Sequence, residues 1–121
     1  MHRMVTNSEK EALYDKLLLE LRRGVSMLAV LSQLREEQYG YSLKQSLDAK
    51  GMAINEGTLY PLLRRLENQG LLESDWLVVD DARPRRYYKM SQDGETVYAN
   101  LVQEWQALGV VMNELLGLKS K

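Results

Sequence analysis

The sequence predicts a mainly α-helical fold with a two-stranded β-wing, and three observations predict it. Leu59, Leu62, Leu63 and Leu66 fall at i, i+3, i+4 and i+7, the spacing of one buried helix face. Two short runs rich in apolar and aromatic residues follow, 71–79 and 85–90, with turn-forming Asp80-Asp81-Ala82 between them. A heptad seam then closes the chain, in which Tyr98, Trp105 and Met112 interleave with Leu101, Leu108 and Leu115. Helix, hairpin and long closing helix, in that order, are the layout of a winged helix-turn-helix followed by a long C-terminal dimerisation helix.

The elements can be justified in turn. Ser8-Glu9-Lys10-Glu11 has the form of a capping box, in which Ser8 accepts from the Glu11 backbone and the Glu11 carboxylate reaches back. Leu13, Leu17 and Leu21, with Tyr14 and Leu18 beside them, form one apolar stripe and predict a first helix over 9–21. Gly24 either kinks that helix or separates it from the next. Val25, Met27, Leu28, Val30, Leu31 and Leu34 cover most sides of the segment 25–34, which predicts a central core helix. Arg35-Glu36-Glu37-Gln38 reads as a solvated loop. Tyr39-Gly40-Tyr41-Ser42 opens a short helix with Leu43 and Leu47 inward, and Gly51 suits the left-handed position after its end.

Asn55 is a good cap for the helix that carries the leucine face. That face leaves Tyr60, Arg64, Glu67 and Asn68 outward, with Arg65 flanking. Pro61 removes a helical hydrogen bond and crowds the preceding turn. The helix therefore either begins near Gly57 or begins irregularly, and Gly70 stops it. In the return strand, alternation places Arg86, Tyr88 and Met90 on one face and Arg85, Tyr87 and Lys89 on the other. Ser91 caps the final helix. A two-stranded ribbon is marginal alone, so it must lean on the helices.

Composition narrows the function. The 121 residues suffice for one domain with its own core. Cysteine is absent, which removes disulfides and thiolate metal sites and fits a reducing cytoplasm. The single histidine is His2, at the terminus, and no glycine-rich phosphate loop occurs. Asp80-Asp81 and Glu36-Glu37 read as loop charges. The sequence therefore predicts no catalytic residue, no metal and no cofactor. No apolar run approaches the roughly 18 residues of a membrane span. The opening MHRMVTNSEKEA has no apolar signal core, so the expected location is cytoplasmic.

The formal net charge of -1, taken alone, argues against nucleic acid. Its distribution argues for it. Residues 91–121 carry four acidic and two basic side chains, both basic ones at the tail, while arginines gather at Arg64-Arg65 and at Arg83, Arg85 and Arg86. Nucleic-acid binding needs a basic face, not a basic chain. The chain divides into an N-terminal helix over 1–21, a winged helix-turn-helix over 22–90 and a C-terminal dimerisation helix over 91–121.

The major groove admits an α-helix and displays a distinct pattern for each base pair. Asn55, Glu56, Gly57, Thr58 and Tyr60, at the exposed start of the leucine helix, are candidate base-edge and backbone contacts, though Tyr60 can instead pack on Pro61. Arg64 is a candidate phosphate contact, and Arg65 either reaches phosphate or pairs with a carboxylate. Tyr41, Ser42 and Lys44, at the start of the preceding helix, are candidate phosphate donors. Arg85 and Arg86 straddle the ribbon, so one reaches DNA and the other lies on the core. Leu13 and Leu17 join Tyr98, Leu101, Trp105, Leu108, Met112 and Leu115 in the expected dimer interface. A winged-helix protein-interaction module without DNA binding is the competing reading, and the arginines and outward Tyr60 and Arg64 weigh against it.

ELRRGV (Glu20–Val25), YGYSL (Tyr39–Leu43), EGTLYPLLRRLENQGLLESDW (Glu56–Trp76) and RPRRYYKMSQDG (Arg83–Gly94) together resemble the PadR family of bacterial transcriptional regulators. In order and with these gaps they cover most of residues 20–94. The single closing helix resembles that family's smaller subfamily, and the heptad seam stands where its dimerisation helix does. The resemblance implies a homodimer on double-stranded DNA, usually a repressor. In some members a small phenolic or planar aromatic effector is sensed, which makes Trp105 a candidate stacking wall as well as a dimer-core aromatic. Two features depart from the family pattern: the added segment 1–19, and the acidic Asp80-Asp81 where a glycine-rich wing turn is common.

Overall fold

The computed structural model describes residues 4–80 and 83–119; His2, Asp81, Ala82 and Lys121 lie outside them. Helix α1 (Asn7–Ser32) is followed by strand β1 (Gln38–Tyr39), α2 (Gly40–Ala49), α3 (Glu56–Asn68), β2 (Leu72–Leu77), β3 (Arg85–Met90) and α4 (Gln92–Leu115). Among the described residues no helix is long and apolar enough to cross a membrane.

α1 corrects three expectations. The helices expected over 9–21 and 25–34 are one, running unbroken through Gly24. A glycine inside a helix costs only about 0.5–1 kcal/mol, and good helix formers on both sides outweigh that. The cap is Thr6, not Ser8. Thr6 has extended backbone, as a cap requires, and its hydroxyl accepts from the Glu9 N–H at 3.1 Å. Ser8 already lies inside the first turn, so the capping box does not form. The segment expected to be buried all round is fully buried only at Val30, Leu31 and then Leu34, while Val25, Met27 and Leu28 are half-buried.

The core collects Val30, Leu31 and Leu34 against Leu43 and Leu47 of α2 and the four α3 leucines. Leu72, Tyr88 and Met90 close it from the sheet. The leucine face of α3 is buried as the spacing predicts. Asn55 caps α3 through Oδ1, which accepts from the Thr58 N–H at 3.0 Å. Pro61 is inside the helix. It leaves the Gly57 carbonyl, four residues back, without its helical donor, and the helix continues through it to Asn68.

The hairpin gains a strand that the sequence did not announce. The sheet has three antiparallel strands in the order β1-β3-β2, with β3 central. β1 contributes only Gln38 and Tyr39, paired with Tyr88 and Tyr87. Two residues are too few to show alternation, and in the sequence they straddle the end of a charged loop and the start of the next helix. The register of β2 on β3 runs from Leu72 opposite Met90 to Leu77 opposite Arg85. The wing strand is thus shorter than the expected 71–79.

Ser91 joins the halves of the fold. Its hydroxyl donates to the Gly70 carbonyl at 2.6 Å and accepts from the Gly94 N–H at 2.9 Å, capping α4. Its own N–H donates to the Leu71 carbonyl at 3.0 Å. Gly94 then passes so close that a Cβ there would lie 2.0 Å from the same Leu71 oxygen. Backbone cannot yield as a flexible side chain can. Gly94→Ala should therefore lower stability by at least about 2 kcal/mol, read as a fall in thermal midpoint, while Gly24→Ala, with nothing within 4 Å of the added carbon, should not lower it.

Candidate nucleic-acid interface

α2, the turn over 50–55 and α3 make the helix-turn-helix, and the hairpin flanks it. The α2 end is closed by Gly51 with φ of 86°, a conformation glycine adopts freely. That turn delivers Asn55, Glu56, Gly57 and Thr58 to the surface together, all exposed. Their exposure follows from the buried leucine face behind them. Arg64 and Arg65 are exposed further along α3, and among the described residues neither pairs with a carboxylate.

Tyr60 is not a free outward side chain. It is half-buried, and its ring lies over Gly40 at the start of α2, where an added Cβ would be 2.5 Å from Cε1. The ring thus packs the two helices of the motif together.

The start of α2 is partly committed to itself. The Ser42 hydroxyl donates to the Tyr39 carbonyl at 2.9 Å. Lys44 pairs with Asp48 one turn on at 3.0 Å. Tyr41 is exposed, with its ring stacked on Tyr39 at 6.5 Å between centroids.

The two wing arginines part company. Arg86 lies on the face that Tyr88 and Met90 turn to the core. Its Nη2 donates to Glu67 Oε1 at 2.7 Å and its Nε to Ser74 Oγ at 3.0 Å, and Ser74 in turn donates to Glu67 Oε2. This brace ties α3, β2 and β3 at one point. Arg85 lies on the opposite face, exposed, with its guanidinium 4.5 Å from the centre of the Tyr39 ring. Tyr39 also meets Tyr87 at 5.5 Å. Arg85, Tyr87, Tyr39 and Tyr41 therefore form one basic, aromatic surface running from the wing to the start of α2.

Four of these contributors were not singled out from the sequence: Tyr39, Glu67, Ser74 and Tyr87. Glu67 counted as an outward residue of α3, because helical spacing cannot show that a strand will cover it. The usable signal was strand alternation, which already placed Arg86 with Tyr88 and Met90. Burial pushes the Tyr88 phenol up, and the Arg86 charge opposes that only in part.

A helix-turn-helix braced to a basic hairpin defines the winged helix-turn-helix class. Residues 27–100 match the transcriptional regulator PadR-like family. The chain belongs to that family of transcriptional regulators. It is 38% identical over 102 residues to a transcriptional regulator of Mycobacterium tuberculosis, across 84% of this chain and 92% of the relative. A PadR family transcriptional regulator from Eggerthella lenta has the same fold, with a TM-score of 0.78, 43% identity, and coverage of 88% of this chain and 95% of that one. A PadR-like transcription factor from Bacteroides fragilis aligns with a TM-score of 0.70 and 32% identity, over 83% of this chain and 98% of that one.

The brace has a measurable consequence. Arg86→Ala strands the half-buried Glu67 carboxylate and should cost about 1–2 kcal/mol in urea unfolding, the partial exposure of the pair lowering the figure. Arg85→Ala loses only an exposed cation–ring contact and should cost about 0.5 kcal/mol. The reverse order would mean that the faces are misassigned.

Proposed function

We propose that the protein is a sequence-specific, DNA-binding transcriptional repressor that acts in the cytoplasm as a homodimer and is released by a small aromatic effector. The observation that carries the DNA reading is the exposed start of α3, Asn55 to Thr58, presented beside Arg64, Arg65 and the outward Arg85. The α3 end enters the major groove, with Tyr60 at its base. Arg64 and Arg65 hold the flanking phosphates. Arg85 reaches the backbone or minor groove from the wing, since Arg86 is engaged with Glu67. Tyr41, Ser42 and Lys44 meet phosphate at the start of α2, Lys44 by exchanging Asp48 for it.

The dimer reading rests on exposed apolar surface. The 24 residues of α4 bury only Gly94. Trp105 is 52% exposed, Leu108 56% and Leu115 74%, and on α1 Leu13 and Leu17 are about half exposed. Apolar surface this continuous marks an interface. A second copy of the same seam covers it by two-fold symmetry, with Tyr98, Leu101 and Met112 completing the contact. A bound dimer represses by occupying a promoter.

In this reading the effector sits beside that interface. Val25, Leu28 and Ala29 of α1 and Tyr98, Val102 and Trp105 of α4 line an apolar cavity of about 270 Å³. An effector acts only if it prefers the dimer form that releases DNA.

Selection of bound duplexes from a random pool tests the main reading. A dyad-symmetric consensus with half-sites about one helical turn apart is expected, and Leu108→Glu should yield monomers that no longer enrich it. No enrichment by the wild-type chain would favour a protein-interaction module. The effector site has its own check. Planar aromatic compounds should quench tryptophan fluorescence, and Trp105→Ala should abolish the quenching while sedimentation still reports a dimer. Quenching that survives the substitution would place the ligand elsewhere.

A further inference from the structure

We propose that the cleft between α1 and α3 is an additional seat for the DNA backbone, in which Arg22 and Arg23 of α1 join Arg65 of α3 on the phosphates of one strand. This rests on the DNA-binding reading and enlarges it, for α1 is otherwise the helix of the core and the dimer.

The cleft has a volume of about 470 Å³ and runs beside the start of α3. Among the described residues three arginines line it, and no aspartate or glutamate does. Asn55, Thr58 and Ser26 add neutral polar groups. Among the described residues none of the three arginines pairs with a carboxylate. Arg22 is half-buried, and its Nη2 donates to the Met52 sulfur at 3.4 Å, an acceptor that is weak and uncharged. Arg23 and Arg65 are exposed. Like charges gathered on one cleft repel unless an anion sits between them, and planar guanidinium groups match phosphate oxygens in pairs.

The placement within the fold selects the source of the anion. Val25, Leu28, Ala29 and Ser32 turn one side of α1 to α4, while Leu19, Arg22, Arg23 and Ser26 turn another to the cleft. Asn55, Gly57 and Thr58 belong both to the cleft and to the end of α3 assigned to the major groove. A duplex engaged by that end brings its own phosphates to Arg22 and Arg23. The α2 start and the wing hold backbone on one flank of α3, and this cleft holds it on the other. The contact is to backbone, so it adds affinity and register without adding sequence preference.

The test is the salt dependence of binding by the full-length chain, on the selected duplex and on a random-sequence duplex. Each phosphate contact removed lowers the slope of log affinity against log salt by about 0.9. Arg23→Ala should lose one such step, the Arg22→Ala, Arg23→Ala double variant about two, and both should lose them equally on the two duplexes. Arg23→Lys should keep the slope. Arg85→Ala serves as the reference for a wing phosphate contact. A thermal melt accompanies each variant, and if Arg22→Ala does not fold, the exposed Arg23 carries the test. Unchanged slopes in Arg23→Ala, with a loss in Arg85→Ala, would overturn the cleft assignment and leave the DNA reading intact. Failure of the wild-type chain to bind any duplex would remove that reading and the cleft with it. Inorganic phosphate, titrated by calorimetry, separates the other source. Saturable binding that the double variant loses, with its DNA slope unchanged, would make the cleft a free-anion site and refute the proposal.

Discussion

The geometry of the whole chain turns on one close approach, the first turn of α4 against the Leu71 carbonyl. Leu71 lies between the end of α3 and the start of β2, and its oxygen accepts from Ser91 at the end of β3. Gly94 then leaves no room for a side chain beside the same atom. Three connections therefore meet at one peptide group, and α4 departs in a direction that the α3 end dictates. Any surface on α4 is thereby held at a set distance and angle from the start of α3. In the proposed dimer, that relation decides which spacing of half-sites fits.

The wing is held with comparable economy. Glu67, Ser74 and Arg86 satisfy one another across α3, β2 and β3, and Tyr39 and Arg85 cover the outer side. A short hairpin has little core of its own and would be marginal alone. Here a charged brace on one face and ring contacts on the other fix its angle to α3. The cost is that one arginine of the adjacent pair serves the fold. Two neighbouring residues of the same type thus have different work, because strand alternation sends them to opposite faces.

Charge and apolar surface are divided along the chain in a way that its net charge hides. Among the described residues every fully buried core side chain is apolar or tyrosine, and no charged one is buried. Most of the described arginines lie around α3, on the wing and along one side of α1, with Arg35 over Tyr98 as the exception, while α4 is acidic and carries a long exposed apolar seam. In the proposed reading one side of the molecule meets a polyanion and the other a second copy of itself. α1 spans both, and its continuity through Gly24 makes that possible.

Much of this was legible in the sequence. Leucine spacing defined α3 and its buried face, Asn55 and Ser91 marked two helix starts, and Gly51 and Gly70 marked two helix ends. These are local properties, set by periodicity and capping within a few residues. The candidate set along Asn55 to Thr58 followed from them directly. The family was legible too, because its motifs are short and ordered. What only the tertiary structure decided were relations between distant residues. These are the third strand at Gln38-Tyr39, the Tyr60 ring over Gly40, the Arg86 brace to Glu67, and the meeting of Arg22 and Arg23 with Arg65. Neither helical nor strand period carries such information, since each depends on which element packs across from it. The sequence by itself determined the features set within a few residues, above all the buried face of α3 and the caps at Asn55 and Ser91. The packing decided which of the outward ones remain free to meet a partner.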